Sequence, residues 1–139
     1  MKAANALEQI GELQAANSAY QTANQHWPNS PSVLMGLGNV RYAEHQYADA
    51  ARHFRHYIQH ASEPAAGWNN LAYSLHQMGC RTAALQAVQC AIRLAPQIAS
   101  YRASLAELNT LPRIKRSGGQ CILPTCRLPV LSADTESVR

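Results

Sequence analysis

The feature of this 139-residue chain that most constrains its fold is a recurrence of its sequence at a constant step of about 34 residues, here called the repeat step. A shift by that step aligns three tripeptides, Gly11-Glu12-Leu13, His45-Gln46-Tyr47 and Gly79-Cys80-Arg81. It also aligns small or apolar residues further along each unit, namely Ala16, Ala50 and Ala84, then Tyr20, Phe54 and Val88, then Ala23, Tyr57 and Ala91. A fixed step of this length indicates that one supersecondary unit is repeated along the chain.

Each unit carries two apolar stripes with the spacing of an α-helix. In the middle unit the first stripe contains Leu34, Leu37, Val40 and Arg41, and the second contains Ala50, Phe54, Tyr57 and Ile58. Such stripes allow two helices to pack against each other, and the scarcity of Val, Ile, Thr and Phe before residue 111 favours helix over strand. The sequence predicts an all-α chain with helices at 1–10, 14–26, 32–44, 48–60, 65–78, 82–94 and 97–110.

Capping and turn residues stand between these stripes. Asn29-Ser30-Pro31 and Ser62-Glu63-Pro64 each read as a helix N-cap followed by proline in the first turn. Gly11 and Gly79 fall between the two helices of a unit, where a left-handed backbone is often required. Gly38 supplies a small residue where we expect two helices to approach closely, so a larger side chain there should cost roughly 1–3 kcal/mol.

The repeated unit resembles the tetratricopeptide repeat (TPR), whose pattern is W-x2-L-G-x2-Y, then A-x3-F, then P over about 34 residues. The best copy of this pattern is carried by Trp68, Leu71, Gly79, Ala84 and Pro96. Departures from it are Arg41 and Leu75 in place of Tyr, and Val88 in place of Phe. The resemblance covers about residues 1–111. It implies a TPR-type right-handed α-solenoid of about three helix-turn-helix repeats plus a C-terminal capping helix.

The repeat frame divides the chain into a shortened repeat, two full repeats, a capping helix and a tail, at 1–28, 29–62, 63–96, 97–111 and 112–139. Because Met1 falls at the fifth position of the frame, the first repeat lacks its opening turn. The chain is then either an array with an atypical terminal repeat or the C-terminal part of a longer protein. The tail contains Gly118-Gly119 and no helical period, so we expect it to be disordered or loosely attached.

The charge is uneven along the chain. Residues 1–111 hold seven Lys or Arg and six acids, whereas residues 112–139 hold five Lys or Arg and two acids. A nearly neutral body does not favour nucleic-acid binding.

No apolar run approaches the ~20 residues needed for a transmembrane segment, and the start does not resemble a signal peptide. The sequence therefore predicts a cytoplasmic protein, or a periplasmic one if it belongs to a larger exported protein.

Four cysteines leave several interpretations open. Cys80 and Cys90 lie ~15 Å apart on one predicted helix, too far to bridge each other. Cys121 and Cys126 have C-x4-C spacing in the tail. The alternatives are unpaired thiols, a local disulfide in the tail, a bridge from the tail to the helices, or a weak metal or redox site.

Candidate catalytic and metal-ligating residues are few. His53, His56 and His60 share one helix face, which favours a solvated stripe over a weak Zn²⁺ or Ni²⁺ site because no carboxylate or cysteine accompanies them. No nucleophile motif or phosphate-binding loop occurs, and no pair of acids suggests general acid–base chemistry. The chain is therefore predicted to be no enzyme and to need neither cofactor nor metal.

The resemblance implies that the first helix of each pair lines a concave groove that takes extended peptides or partner helices. Seven positions fall along this groove: Asn5, Asn39, Tyr42, Asn69, Asn70, Tyr73 and His76. Asn39 and Asn70 match the asparagines of a subgroup that clamps terminal carboxylates. Met35, Ser100 and Ser104 stand where that subgroup has cations, so recognition of a carboxylate terminus is not expected.

The leading functional prediction is a scaffold that binds a protein or peptide in the groove. The alternative is a non-catalytic accessory domain of a larger protein, because Trp68–Tyr73 and Gly79–Arg81 are similar to repeat tails behind papain-like cysteine peptidase domains of bacterial envelope proteins. A third hypothesis is self-association through the shortened first repeat. The basic run Arg113–Arg116 is interpreted as a solvated linker, with an anionic partner or membrane surface as the alternative.

Overall fold

A computed structural model describes the backbone of residues 2–129 and the side chains of residues 11–129. Six helices make up this part of the chain, and no strand occurs within it. In chain order they are α1 (Lys2–His26), α2 (Pro31–Ala43), α3 (Tyr47–His60), α4 (Ala65–Gln77), α5 (Arg81–Leu94) and α6 (Ala99–Thr110). Over residues 2–129, the prediction of an all-α chain is confirmed.

The repeat step of the sequence is also the step of the backbone. Helices α4 and α5 begin and end one repeat step after α2 and α3, and α6 begins one repeat step after α4. The turns inside the two complete pairs also correspond, because His45 has φ 62° and Gly79 has φ 81°. In each turn the next backbone N–H donates to a carbonyl five residues earlier, at 2.8 Å to Arg41 and 2.9 Å to Leu75. This bond closes a left-handed helix C-terminus, as predicted for Gly79.

The hydrophobic core lies between the two complete helix pairs, with α4 at its centre. Helix α4 packs against both α3 and α5, and α6 closes the far side. The largest side chains of the hydrophobic core are fully or almost fully buried: Trp68, Phe54, Leu71, Leu75, Met78, Val88 and Leu108. The ring of Phe54 leaves no room for a side chain at Gly38, so the small residue stands where the close approach requires it.

Helix α1 differs from the two helices predicted at 1–10 and 14–26. It is continuous through Gly11, which is exposed and has no neighbouring atom where a Cβ would stand. A single glycine inside a helix costs only about 1 kcal/mol. The predicted turn at Gly11 is therefore wrong.

The tail also differs from its prediction over residues 112–129, here called the strap. The strap is irregular but crosses the outward faces of α3 and α5 along a defined path. It first passes over Gly79 at Ile114 and Arg116, then reaches Met78 and Ala48 at Gly119, and ends beside the C-terminal ends of the two helices. Residues 130–139 of the predicted disordered segment lie outside the described residues.

Candidate functional site

Two of the predicted groove residues meet between α2 and α4. Asn70 Nδ2 donates to Asn39 Oδ1 at 3.1 Å and lies 3.3 Å from Met35 Sδ. Asn39 is exposed and Asn70 half-buried. The two amides therefore form a polar bridge across the face where these helices lie side by side.

A second link joins α4 to α6. The Tyr73 hydroxyl donates to Glu107 Oε1 at 2.5 Å. Burial, and then this hydrogen bond to Glu107, raise the pKa of the Tyr73 hydroxyl. Sequence reasoning missed Glu107, although it stands one repeat step after Tyr73 and therefore occupies the same position in the next unit.

Tyr42 extends the same surface on α2. Burial raises the pKa of its hydroxyl, and the nearby side chain of Gln77, which sequence reasoning also missed, acts in the opposite direction. Its ring meets the edge of Tyr47 at a centroid distance of 5.1 Å. These links define what we call the polar face: Asn39, Tyr42, Asn70, Tyr73, Gln77 and Glu107.

The remaining predicted groove residues do not join the hydrogen-bonded set. Asn69 is half-buried, and its Oδ1 atom has no hydrogen-bond partner among the described residues. His76 is only 4% exposed, and burial, then nearby Arg81, lower the pKa of its imidazole. Together with Arg81 and Arg113 it lines a pocket of about 120 Å³. The side chain of Asn5 lies outside the described residues.

The three histidines that were predicted to form a solvated stripe differ in their exposure to solvent. His56 and His60 are exposed, as expected for a solvated stripe, but His53 is half-buried. Burial, followed by the charge of Arg52, lowers the pKa of the His53 imidazole to about 4. Over the residues that the structure describes, no cluster of three or more His, Cys, Asp or Glu side chains is arranged to hold a metal ion.

All four cysteines are joined between the strap and α5 or its N-cap. Cys80 bonds to Cys121 and Cys90 bonds to Cys126, with Cα atoms 5.6 Å and 5.9 Å apart. Five residues of extended chain span about 17 Å, close to the ~15 Å between positions ten residues apart on a helix. The strap therefore runs alongside α5 with its cysteines opposite their partners. Of the alternatives left open by the sequence, the structure has the bridge from tail to helices; unpaired thiols and the local tail disulfide are wrong.

Two arginines also hold the strap. One is Arg116, which precedes Cys121 in the strap, and the other is Arg55, which contacts the strap on both sides of Cys121. Arg116 donates to the Met78 carbonyl at 3.0 Å. Arg55, on α3, donates to the carbonyls of Gln120 at 2.8 Å and Ile122 at 3.0 Å. Arg55 is half-buried, and this burial lowers the pKa of its guanidinium. The basic run predicted as a solvated linker thus includes one residue, Arg116, that anchors the strap.

The strap also forms one wall of a cleft of about 1180 Å³ at its C-terminal end. The opposite walls are the loop after α3, the end of α5 and the start of α6, with Tyr57, Trp68 and Tyr101 among the lining residues. Sequence reasoning missed this cleft because the path of the strap creates it.

Among the helices of the described part, none combines the length and the apolar character needed to cross a membrane. A scan against protein-family models finds no match to the chain, and a search of curated proteins finds no match either.

Proposed function

We propose that the chain is a TPR-type helical array that binds an extended peptide, or an extended segment of a partner protein, on its polar face. The observation that carries this proposal is the recurrence of a whole helix pair, including its left-handed turn, at the repeat step. Such a recurrence brings the first helix of each pair to one side of the molecule. A row of equivalent positions then becomes one continuous surface.

The chemistry of the polar face suits a peptide backbone. The amides of Asn39 and Asn70 satisfy each other in the free protein, and each also has donors or acceptors left for a ligand. Tyr42 and Tyr73 add ring faces that bury apolar area at a small entropy cost. These groups stand on helices rather than loops, so binding needs little reorganisation.

Charge narrows the class of ligand. Glu107 is the one acid of the polar face, and no Lys or Arg belongs to it. A ligand carrying a Lys or Arg side chain would pair with Glu107 once Tyr73 releases that carboxylate. A ligand that presents a carboxylate finds no cation here, so neutral or basic segments are favoured.

The two disulfides support a non-reducing compartment, because such bonds persist mainly in secreted and periplasmic proteins. This favours the exported setting over the cytoplasm, and with it the second candidate, an accessory domain of a larger envelope protein. Coding DNA from the source organism would test it. An in-frame extension before Met1 that encodes a peptidase-like domain supports the candidate, and a stop codon in its place contradicts it.

The peptide-binding proposal is tested with the oxidised full chain and an immobilised array of peptides of varied charge. The variants are Asn70→Ala and Tyr73→Phe, and the matched control is Gln86→Ala, an exposed substitution on α5. We expect the first two to weaken the best peptide by about tenfold, equivalent to about 1.4 kcal/mol, and the control to leave it unchanged. Equal binding by all three variants would place the binding surface elsewhere.

A further inference from the structure

The two disulfides stand in different surroundings. Cys90 is 1% exposed in the middle of α5, and its partner Cys126 is half-buried. Cys80 is 4% exposed, but its partner Cys121 is exposed to solvent. The Cys80–Cys121 bond is therefore the more accessible of the two to a thiol in solution, from the Cys121 side.

Cys80 occupies a position that stabilises negative charge on sulfur. It is the N-cap residue of α5, where the free N–H groups of the first helical turn and the helix dipole favour an anion. In addition, Nη1 of Arg116 lies 3.4 Å from Cys80 Sγ. Both features lower the pKa of a cysteine thiol, in opposition to the burial of Cys80, which raises it, and they make its thiolate a better leaving group.

Arg116 is also held in this place by hydrogen bonds, one of them to a residue outside the strap. Its guanidinium donates to the carbonyls of Met78 at 3.0 Å, Ser117 at 2.9 Å and Gly119 at 2.9 Å. Cys126 would still tie the end of the strap to α5 if the first disulfide opened. The cation therefore stays beside Cys80 when Cys80 is a free thiolate. At Cys90, no charged donor is bonded to the sulfur within the part of the chain that the structure describes.

We propose that Cys80–Cys121 is a thiol–disulfide exchange site, whereas Cys90–Cys126 is a structural bond. A dithiol donor, such as a reduced protein dithiol, attacks Sγ of Cys121. The bond between Cys121 and Cys80 breaks, and its electron pair leaves on Cys80 Sγ beside Arg116. The donor's second thiol then displaces Cys121 from the mixed disulfide. The donor ends as a disulfide, and its two electrons and two protons end on the two cysteines.

Opening this one bond removes the covalent tie between Cys121 and the start of α5, so the middle of the strap is then held only by the hydrogen bonds of Arg55, and its end stays attached through Cys126. The redox state of a dithiol in the compartment would thus determine how firmly the strap is held on α3 and α5. Its partner is defined by chemistry, as a dithiol that can reach an exposed sulfur.

The first test is the order of reduction in the intact oxidised protein. Limiting dithiothreitol is added, aliquots are quenched in acid and alkylated, and the labelled cysteines are identified by peptide mapping. We expect Cys80 and Cys121 to be labelled at least about tenfold faster than Cys90 and Cys126. Equal rates, or faster opening of Cys90–Cys126, would overturn the proposal.

The second test measures the acidity of Cys80 itself. Cys121→Ser leaves Cys80 as the one free thiol, and the ultraviolet absorbance of the thiolate gives its pKa. We expect a pKa below the ordinary value of about 8.5, a rise when Arg116→Gln is added, and no change with the control Arg113→Gln. If Arg116 had only a structural role, Arg116→Gln would not raise the pKa of Cys80. That result, or a pKa of Cys80 at its ordinary value, would overturn the proposal. The reduction experiment uses the unaltered chain and decides the matter if Cys121→Ser does not fold.

Discussion

Gly79 lies directly beneath Ile114: a Cβ atom at position 79 would stand 2.7 Å from the Ile114 carbonyl oxygen. The same Cβ would stand 2.8 Å from Cα and N of Arg116. The turn that closes α4 is therefore also the surface on which the strap begins. One glycine serves both, because its left-handed backbone (φ 81°) and its missing side chain are each required.

This contact predicts that Gly79→Ala destabilises the oxidised protein by roughly 1–3 kcal/mol, since the new methyl group meets rigid backbone. Thermal or urea unfolding without reductant measures the effect. Gly118→Ala is the matched control, because a Cβ there meets nothing within 4 Å. Equal loss in both variants would mean that the strap does not pass over Gly79.

The continuous α1 helix makes Gly11→Ala informative. Alanine at an exposed helical position should raise the helix content measured by circular dichroism and increase the free energy of unfolding by up to about 1 kcal/mol. If a left-handed turn existed at Gly11, the same substitution would be destabilising. The sign of the change therefore separates one helix from two.

The strap should loosen when Arg55 is removed. Arg55→Ala deletes two charge-assisted hydrogen bonds to strap carbonyls, and we expect a loss of about 1–2 kcal/mol. Amide hydrogen exchange around Ile122 should also become faster. Arg52→Ala is the control, because exposed Arg52 pairs only at the surface with Asp49, at 3.2 Å, and such pairs contribute under about 1 kcal/mol. Unchanged exchange in Arg55→Ala would contradict the anchoring role.

His53 predicts a pH dependence of stability. The unfolded chain takes up this proton near the ordinary pKa of 6.5, whereas the folded chain does so only at about 4. Between these values the unfolded state holds more protons than the folded state. The free energy of unfolding therefore loses nothing through His53 above about pH 6.5, and it decreases as the pH falls from 6.5 towards 4. Allowing for solvent screening, the loss is on the order of 1–2 kcal/mol.

The measurement compares urea unfolding at several pH values for the unaltered chain, His53→Gln and the control His60→Gln. His53→Gln should flatten the fall between about pH 6.5 and 4. His60→Gln, an exposed substitution on the same helix, should retain it. Parallel curves for all three proteins would show that His53 is solvated.

The complete helix pairs could be predicted from sequence because some of their boundaries have a local cause. Pro31 opens α2, Gly79 ends the turn before α5, and the apolar stripes lie between them. The continuous α1 could not be predicted from Gly11, because glycine permits a left-handed turn but is also tolerated inside a helix at a cost of about 1 kcal/mol. Packing between helices can decide which of the two forms. That packing is a tertiary property, and the sequence near Gly11 does not reveal it.

The polar face was predicted in part. Asn39, Asn70 and Tyr73 were placed by the repeat frame, but Glu107, the partner of Tyr73, lies on another helix, so spacing within one helix did not indicate it. The strap has no periodic signal at all. Its one clue was a distance. The length of the C-x4-C segment in an extended chain is close to the length of the ten helical residues that separate Cys80 from Cys90.

The Cys80–Cys121 bond closes a covalent ring that contains all of α5 and α6. A protease that cuts the exposed backbone near Arg113 or Lys115 would break the polypeptide without separating its two pieces. Such nicked chains would migrate as one band on a non-reducing gel and as two after full reduction. The protein would thus survive surface cleavage as a two-chain molecule.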